Sequence, residues 1–396
     1  MSIPITHLSY QIDPYTRYAQ LSQHADFAWD DAAQAWIVSR AVLISAVLAD
    51  ARCAVRPAHE AVPKALQGSA AGEIFSHLIR MNEAEAHRVG KASLMRCLGT
   101  LDLSQVQKVV IAISNEIGLP DSTGAALNQW VYQLPLRCVA LLMGFDLITS
   151  TLIAQEIAEF VACLSILSSE EELQQASRAA EVLRARMQNH LRASIVNDVT
   201  PTHSFIHSLQ VAAKAEGWTD NDAIVANLVG LLSQSYEGTA GLLANTVIQL
   251  HQQTTWRDQL QREIGSSNNS SPLLQQFVLE VARFDPAIHS TRRFVTQDCS
   301  IGGQELRSGQ TIILLLAAAN RDNTQVADAD CFNPQRHALP QWGFSAGRHA
   351  CLGQQLAIAI VEQAVLRLLP IWSEAQWQNL SWEYQTSLNA RLAKFK

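Results

Sequence analysis

The sequence predicts a mainly α-helical protein with a few short strands and a large buried core. Hydrophobic residues make up 48% of the 396 residues and charged residues only 16%, against roughly 25% charged residues in an average globular chain. Apolar residues recur at helical spacing over most of the chain, whereas strand-like runs are few and short. A chain of this length and composition is expected to bury a sizeable core rather than to remain disordered.

Helical periodicity is clearest over 104–117, where Ser104 can cap a helix, apolar residues follow at helical spacing, and Gly118 ends the pattern. The same reasoning predicts further helices over 73–98, 123–143, 151–166, 170–195, 203–216 and 353–369. Strands are predicted over 36–39, 291–296, 305–307, 311–315 and 381–385. The segment 322–342 has no period, and a run of that length in a compact domain is usually functional or specifically packed.

One predicted helix is much longer than the others. From a cap at Asp220 its pattern runs to about residue 252, or roughly 48 Å at 1.5 Å per residue. It is apolar on most sides and is therefore expected to be central. Its middle, residues 233–239, is nevertheless polar and contains the helix-weakening Gly238. A local rule broken in this way often marks a functional site; a solvated or hydrogen-bonded helix face is the other interpretation.

Charge and cysteine usage argue against several classes of protein. The 29 basic and 36 acidic residues give a net charge of −7, which disfavours a nucleic-acid binder that neutralises phosphates. The N-terminus lacks a secretory pattern, and the longest apolar run, 312–319, is far shorter than the ~20 residues of a membrane span. The seven cysteines are scattered without metal-ligand spacing, as in reduced proteins. We therefore expect a cytoplasmic protein that does not bind a membrane.

A cysteine stands immediately before the predicted helix 353–369. The free N–H groups and the dipole at a helix start favour the thiolate form of Cys351. Gly347 and Gly353 allow the backbone to fold tightly around the sulfur, and Phe344 would shield it from water. Such a thiolate could be a nucleophile with His349 as a nearby base, or an iron ligand. A buried structural cysteine is the third possibility.

These residues form the pattern Phe-x-x-Gly-x-x-x-Cys-x-Gly, which resembles the heme-binding loop of the cytochrome P-450 family. Glu280 and Arg283 match the Glu-x-x-Arg pair of that family, and Arg336 matches the arginine that joins the pair. The segments 319–322 and 36–40 also resemble family segments in the expected order. The resemblance covers nearly the whole chain. It implies a single domain over 1–396, mainly α with small β-sheets, that holds heme between the long central helix and the helix after the cysteine loop.

The resemblance also implies roles for individual residues. Cys351 would be the axial thiolate ligand of the iron of heme b, an arrangement that favours O–O cleavage. Glu280, Arg283 and Arg336 would form a buried charge network with a structural role. Lys91 stands where the family has an arginine, and an exposed helix face is the alternative for His87 and Lys91. The expected cofactor-binding residues are His87, Lys91, Arg293, Phe344, His349, Cys351 and Gly353.

The long helix departs from the family pattern. Residues 234–238 align with Ala/Gly-Gly-x-Asp/Glu-Thr, so that Glu237 keeps the acid while Gly238 replaces the threonine. Thr239 follows, but one residue turns ~100° around a helix, so it substitutes only if the helix bulges. Gln234 and Gly238 share one helix face, which by the resemblance overlooks the iron. These four residues are the expected catalytic residues.

The resemblance implies a monooxygenase that inserts one oxygen atom from O2 into a small organic substrate, as in specialised metabolism. The missing threonine leaves three mechanisms open: water or a substrate hydroxyl relays protons while Gln234 orients oxygen or substrate, peroxide drives the reaction, or the enzyme acts without oxygen as an isomerase or dehydratase. No arginine typical of peroxide-driven members lies between 220 and 252. A non-catalytic heme-thiolate sensor or carrier is the alternative outside the enzymes.

The substrate pocket is expected to be lined by Gln234, Gly238, Ile288 and His289. No flavin or ferredoxin domain fits within the 396 residues beside the heme domain. Electrons would therefore come from a separate ferredoxin or flavodoxin and its NAD(P)H-dependent reductase. Arg348, near the cysteine loop, is a candidate docking residue for an acidic partner of this kind.

Overall fold

Helices account for most of the structure, a computed structural model that describes residues 4–121, 123–165, 167–196, 204–266, 271–337 and 340–396. Their bounds are α1 (Tyr15–His24), α2 (Ala41–Ala49), α3 (Ala70–His77), α4 (Ala84–Leu98), α5 (Leu103–Ile117), α6 (Gly124–Leu142), α7 (Leu147–Phe160), α8 (Glu170–Val196), α9 (Phe205–Glu216), α10 (Asn221–Gln234), α11 (Ala240–Gln252), α12 (Thr254–Ser266), α13 (Pro272–Phe284), α14 (Leu316–Ala319), α15 (Gln354–Leu368) and α16 (Glu374–Gln378).

The strands are short and form three small sheets. They are β1 (Ala28–Asp30), β2 (Ala35–Val38), β3 (Cys53–Ala54), β4 (Thr291–Val295), β5 (Cys299–Ile301), β6 (Gln304–Leu306), β7 (Thr311–Leu314), β8 (Trp382–Tyr384) and β9 (Ala393–Phe395). The largest sheet has the order β1-β2-β7-β4-β3, and β5-β6 and β8-β9 are two-stranded. In the large sheet β2 and β7 run parallel, while the other neighbours are antiparallel.

Contacts group the chain into two compact units, each assembled from separate stretches of sequence. The first unit contains Met1–Ala58, Ser114–Tyr132 and Glu237–Lys396, and the second contains His59–Ile113 and Gln133–Tyr236. All the strands listed above belong to the first unit. The single-domain interpretation of 1–396 stays a prediction.

The core of the first unit lies between α2 and the large sheet. Ile44 and Val47 from α2 are fully buried against Val38, Ile312 and Leu314 from the sheet. Helices α11, α13 and α15 pack on one another in the same unit. Because α15 follows Cys351, this packing fixes the helix on which the cysteine loop depends.

All the regular secondary structure in the described part of the second unit is helical. Helix α4 packs on α9, α7 packs on α8, and α10 packs on α3, α7 and α8. The stretch Leu147–Leu164 has the length and hydropathy of a membrane-spanning helix, with a third of it buried. Its buried positions, Ile153, Ile157 and Phe160 among them, lie at helical spacing on one face. That one-sided pattern is typical of a helix packed against a protein core.

The predicted long helix is present and contains a break in its hydrogen-bonding pattern. The Asp220 side chain accepts a hydrogen bond from the N–H of Ala223 (3.0 Å) and begins α10 as predicted. Residues Ser235–Thr239 form a π-helical turn, and α11 then continues to Gln252. The polar, glycine-containing stretch therefore coincides with a π-turn, a feature frequent at functional sites.

The predicted helix 73–98 is wrong as a single element. The structure has α3 and α4 separated by residues 78–83. The Asn227 side chain on α10 accepts a hydrogen bond from Ile79 N–H (2.9 Å) and donates one to His77 O (2.9 Å). These long-range hydrogen bonds pair the backbone groups of His77 and Ile79 where the helical hydrogen-bonding pattern is interrupted. Residue 203, the predicted start of α9, lies outside the described residues.

Candidate functional site

The cysteine loop is a tight turn that precedes α15. The backbone N–H of Cys351 donates to Phe344 O at 2.8 Å, and Ala350 N–H donates to Gly347 O at 3.1 Å. Gly347 has φ +66°, a left-handed conformation that glycine adopts without steric cost. Cys351 itself is exposed. The loop therefore closes through its backbone and leaves the cysteine side chain accessible.

Hydrogen bonds connect this loop to helix α2. The Arg348 guanidinium donates to Ala49 O (3.3 Å) and Asp50 O (3.2 Å), at the carbonyl end of α2. A cation at a helix C-terminus interacts favourably with the helix dipole. The Trp342 indole N–H donates to the Ser45 hydroxyl of the same helix at 3.1 Å. The Arg348 guanidinium is thus engaged in holding the loop, and its role in docking a redox partner stays a prediction.

Glu280, Arg283 and Arg336 lie together in a buried charge network. Arg283 Nε and Nη2 donate to the two carboxylate oxygens of Glu280 at 2.8 and 2.7 Å. Arg336 Nε lies 3.5 Å from Glu280 Oε1, which also accepts the N–H of Asn333 at 2.8 Å. The side chains of Arg283 and Glu280 are only 0% and 4% exposed. A planar guanidinium held in this bidentate manner has a fixed orientation.

The two arginines also bind the aperiodic segment that precedes the cysteine loop. Arg283 donates to Ala329 O (2.8 Å) and Cys331 O (3.2 Å), and Arg336 donates to Ala327 O and Asp328 O, both at 2.6 Å. The part of 322–342 that the structure describes is therefore organised around buried charge. This explains how a segment without secondary structure is packed.

Three further residues predicted to bind the cofactor, Arg293, His349 and Gly353, belong to the first unit. Arg293 is 3% exposed on β4, and its Nη1 donates to Arg292 O at 2.8 Å. His349 ends a 3-10 turn and is half-buried. Gly353 precedes α15 and provides no side-chain cap. A Cβ atom added at Gly353 would meet nothing within 4 Å.

His87 and Lys91 lie in the second unit on α4. They are four residues apart and share a helix face; His87 is 8% exposed and Lys91 is half-buried. The alternative of an exposed amphipathic face is therefore wrong for His87. Their role toward a cofactor stays a prediction.

The four predicted catalytic residues lie at or beside the π-turn. Gln234 ends α10, is exposed, and donates from its side chain to Gly230 O of the same helix at 2.8 Å. Glu237 and Gly238 are half-buried, and Thr239 is 7% exposed. A Cβ at Gly238 would meet nothing within 4 Å. The position of the usual threonine is thus an open space next to the helix.

Contacts after the π-turn show what the helix side that continues from Gly238 faces. A Cβ at Gly241 would lie 2.8 Å from the Cβ of Ala287, and the Asn245 side chain donates to Asp285 O at 2.7 Å. Gly241 and Asn245 are four residues apart on α11 and lie on one side of it, and Gly238 precedes Gly241 by three residues, within the π-turn. This side of α11 faces residues 285–287. Thr239 comes one residue after Gly238 and therefore points in a different direction.

The structure separates the two predicted pocket residues of the segment 286–290. Ile288 is half-buried and pairs with Ala390 in an isolated antiparallel bridge. His289 is 0% exposed, and its Nδ1 lies 3.0 Å from the Tyr18 hydroxyl. Alternate residues of an extended segment point to opposite sides. His289 is therefore a core residue, and its assignment to the substrate pocket is corrected.

Sequence reasoning missed a buried polar cluster around His289. Asp285 Oδ1 accepts a hydrogen bond from the Tyr15 hydroxyl (2.5 Å) and lies 2.9 Å from Arg391 Nε. Burial lowers the pKa of His289 to about 4, against the smaller opposing effect of Asp285. The pKa of Asp285 lies below its usual range because the charge of Arg391 and its hydrogen bonds outweigh burial. The imidazole is thus neutral beside an ionised carboxylate.

The residues of the loop fit an iron porphyrin held through sulfur. Cys351 offers an exposed side chain beside the start of α15, where the N-cap residue Gly353 has no side chain and the space beside it is open. The N–H groups at a helix start and the helix dipole stabilise a thiolate, which is a suitable ligand for iron. The cationic Arg293 and the imidazole of His349 are suited to bind carboxylates.

Comparisons with known proteins agree with this geometry. The family model described as Cytochrome P450 matches residues 154–373. A "Putative cytochrome P450 133B2" of Xylella fastidiosa is 29% identical over 270 residues, which cover 66% of this chain and 64% of the relative. The match thus spans just under two thirds of that relative's length. The "20-oxo-5-O-mycaminosyltylactone 23-monooxygenase" of Streptomyces fradiae is 25% identical over 90% of this chain and 83% of its own.

A solved structure has the same fold. The crystal structure of CalO2 superposes with a TM-score of 0.81 at 23% identity, covering 97% of this chain and 94% of that one. The predicted fold class, mainly α with small sheets in the arrangement of this family, is thereby confirmed.

Proposed function

Because the chain belongs to the cytochrome P450 family, we propose that it is a heme-thiolate monooxygenase acting on a small organic substrate. The overall reaction takes one atom of O2 into the substrate and reduces the other to water, with two electrons from a partner and two protons from solvent. The observation that carries the proposal is the cysteine loop, in which an exposed cysteine stands at the uncapped start of α15.

The chain's residues would hold the cofactor as follows. Cys351 would be the axial ligand, and heme bound there supplies the iron at which oxygen is activated. Arg293 and His349 would bind the heme propionates, and on the second unit His87 and Lys91 are proposed for the same task. Phe344 would shield the sulfur from water. The Glu280 network would keep the segment before the loop in place.

Proton delivery is the step for which this chain departs from the family. Gly238 provides no hydroxyl, and the space where a side chain would lie is open. We therefore place water or a substrate hydroxyl in this space, with Glu237 as the acid that supplies protons from solvent. Gln234 would orient oxygen or substrate once its amide leaves Gly230 O.

Thr239 is supported less well as a replacement for the missing alcohol, although the helix does bulge. Gly241 and Asn245, which follow Gly238 on α11, contact residues 287 and 285. Leu243 and Thr246, which follow Thr239 at helical spacing, are fully buried, and so is Asn245, so burial along α11 does not distinguish the two sides. Thr239 itself is 7% exposed, whereas Gly238 is half-buried beside open space, and we therefore place the relay in the Gly238 space.

The substrate is proposed to bind beside Gly238 and Ile288. The relative named for tylactone oxidation suggests specialised metabolism for this chain as well. Electrons would come from a separate ferredoxin or flavodoxin with its NAD(P)H-dependent reductase. We propose a cytoplasmic location, consistent with seven cysteines that form no disulfide.

The test uses the purified holoprotein and a screen of small molecules for shifts of the heme spin state. A compound that produces a shift is then incubated with a ferredoxin, its reductase, NADPH and isotopically labelled O2. One labelled oxygen atom in the product supports the proposal. Turnover that needs peroxide, turnover without oxygen, or binding without any turnover would favour the peroxide-driven enzyme, the isomerase or dehydratase, and the sensor or carrier respectively.

The ligand assignment has its own test in Cys351→Ser. Serine keeps the shape of the side chain but replaces the thiolate, so the variant should lose the thiolate Soret spectrum after hemin supply. Cys331→Ser is the matched control, because Cys331 is also an exposed free cysteine. An unchanged spectrum in the Cys351 variant would exclude this residue as the ligand.

A further inference from the structure

The cluster around Asp285 joins the N-terminal segment to the segment 286–290, here called the wall segment. Tyr15 donates to Asp285 Oδ1 (2.5 Å), and the Tyr18 hydroxyl contacts His289 Nδ1 (3.0 Å). Arg391 Nε and His289 Nε2 lie 2.9 and 3.7 Å from the same carboxylate oxygen. Neither the proposed oxygen chemistry nor cofactor binding uses this cluster, although it is buried and charged.

The protonation states in the cluster are determined by its surroundings. Burial lowers the pKa of His289 to about 4, so the ring is neutral near pH 7. In the tautomer that carries its proton on Nε2, 3.7 Å from Asp285 Oδ1, Nδ1 accepts the hydroxyl proton of Tyr18. Burial raises the pKa of Tyr18 above its usual range, so this hydroxyl remains a donor. Tyr15, Tyr384, Arg321 and Arg391 are the other titratable or charged groups that act on Asp285 and its neighbours.

Hydrogen bonds fix the backbone of the wall segment on both sides. His289 N–H donates to Asn389 O (2.7 Å), and Arg391 N–H donates to Ala287 O (2.8 Å). The carbonyl of Asp285 accepts the Asn245 amide of α11. Between these anchors Ile288 and His289 point to opposite sides. These bonds hold Ile288 and His289 together as one rigid unit, so a displacement of the buried His289 ring tilts the unit and moves Ile288 with it.

Arg391 attaches the N-terminal segment to the same assembly. Its Nη1 donates to Ser9 O (2.9 Å) and Gln11 O (2.7 Å), and its Nη2 donates to Ile12 O (3.0 Å). The guanidinium is 3% exposed and stacks on the Tyr384 ring at 3.6 Å. The segment that carries Tyr15 and Tyr18 is thus held at a defined position relative to the wall segment.

We propose that Tyr18 is a positioning residue, which through His289 fixes Ile288 and so sets the size of ligand that fits beside the Gly238 space. This inference rests on the proposed function, because Ile288 is taken to face the substrate. It adds a determinant of ligand size that is located in the N-terminal helix α1. Tyr18 itself would not touch the ligand.

The experiment compares two iron-binding probes on the holoprotein, imidazole and 4-phenylimidazole. Imidazole needs little room, whereas the phenyl group of the second probe must fit against the wall. Tyr18→Phe removes one hydroxyl from the cluster with almost no change in volume. Tyr10→Phe is the matched control, because it removes a hydroxyl from the same N-terminal segment, where the Tyr10 ring lies against His7.

We expect Tyr18→Phe to change the dissociation constant of 4-phenylimidazole about threefold or more, the scale of one lost hydrogen bond. The constant for imidazole should stay the same, and Tyr10→Phe should leave both unchanged. Ile288→Ala should alter 4-phenylimidazole binding directly. In that background Tyr18→Phe should add little, because both changes act through one side chain.

A merely structural role for Tyr18 gives a different result. It would lower the thermal stability of Tyr18→Phe and leave the ratio of the two dissociation constants as in the wild type, which overturns the inference. Independent, additive effects of Tyr18→Phe and Ile288→Ala would overturn it as well. If the wild type binds neither probe, Ile288 does not bound a ligand site at the iron and the inference fails; the proposed function is decided separately by the labelled-oxygen experiment.

Discussion

Replacement of Glu280 by glutamine tests the physical account of the charge network. Glu280→Gln keeps the shape and one acceptor oxygen but removes the negative charge that Arg283 and Arg336 share. The guanidinium of Arg283 is 0% exposed, so water cannot compensate. Removing one partner of a buried ion pair costs about 3–5 kcal/mol, because the other charge remains buried without a counter-charge.

This free energy can be converted into a melting temperature. Unfolding entropy is about 2.1 cal/mol/K per residue, or roughly 0.8 kcal/mol/K for 396 residues. A loss of about 3–5 kcal/mol should therefore lower Tm by about 4–6 °C. Circular dichroism during thermal unfolding of the holoprotein measures this directly.

A matched control separates the buried network from ion pairs in general. Glu383→Gln breaks a pair with Lys396 in which both side chains are more than half exposed, so its Tm should stay close to that of the wild type. The double variant Glu280→Gln, Arg283→Gln should lose less stability than the sum of the two single variants. A Tm for Glu280→Gln within about 1 °C of the control would refute the reasoning, because no uncompensated charge would then exist.

Three further outcomes follow from the site. Gly238→Thr should change the ratio of product formed to NADPH consumed only slightly, because the relay is taken to come from water or substrate; a large gain in coupling would contradict this. Lowering the pH from 7 to 4 should reduce the free energy of unfolding by about 3 kcal/mol through His289. The pKa of His289 is about 4 in the folded protein and about 6.5 in the unfolded chain, so the unfolded chain takes up the proton first as the pH falls. Urea unfolding at each pH measures this, and His289→Gln should remove that part of the pH dependence; an equal slope in both proteins would refute it. Arg348→Ala should release heme to apomyoglobin several times faster than the control Arg88→Ala, whose guanidinium is exposed; equal rates would argue against support of the loop by α2.

The helices with a sustained apolar period were predictable, whereas of the short strands some were predicted, such as β6 and β8, and others were not. The structure agrees with the sequence over α5, α6 and α8 to within one or two residues. By contrast β3 has two residues and β5 three, too few for any period to be read. The break between α3 and α4 was also invisible in the sequence, because Asn227, about 150 residues further along the chain, satisfies the exposed backbone groups.

The same distinction applies to the site. Glu280 and Arg283 are three residues apart on one helix, and the cysteine loop is one short segment, so both are local patterns that the resemblance to the family could identify. The cluster around Asp285 joins Tyr15 and Arg391, which are separated by most of the chain, and no local pattern indicates such a contact. His289 was placed on the wrong side for a related reason: which of two neighbours faces the core depends on the extended backbone of 286–290, and the sequence of that segment does not determine it.

The physical reasoning also locates where this chain's specificity must arise. On the cysteine side, the glycines, the charge network and the uncapped helix follow the family pattern, so these residues explain what the chain shares with its relatives. On the side of the long helix, a glycine within a π-turn leaves open space where a hydroxyl is usual. An open position cannot relay a proton, and it also cannot exclude a bulky ligand. In the proposed mechanism, proton delivery and ligand size are therefore coupled at Gly238, since the molecule that fills the space also carries the proton. Substrates with their own hydroxyl near the oxidised carbon should be consumed with better coupling than analogues that lack it. The ratio of product formed to NADPH consumed should be measured for such a pair of substrates. Equal ratios would mean that water, and not the substrate hydroxyl, relays the protons.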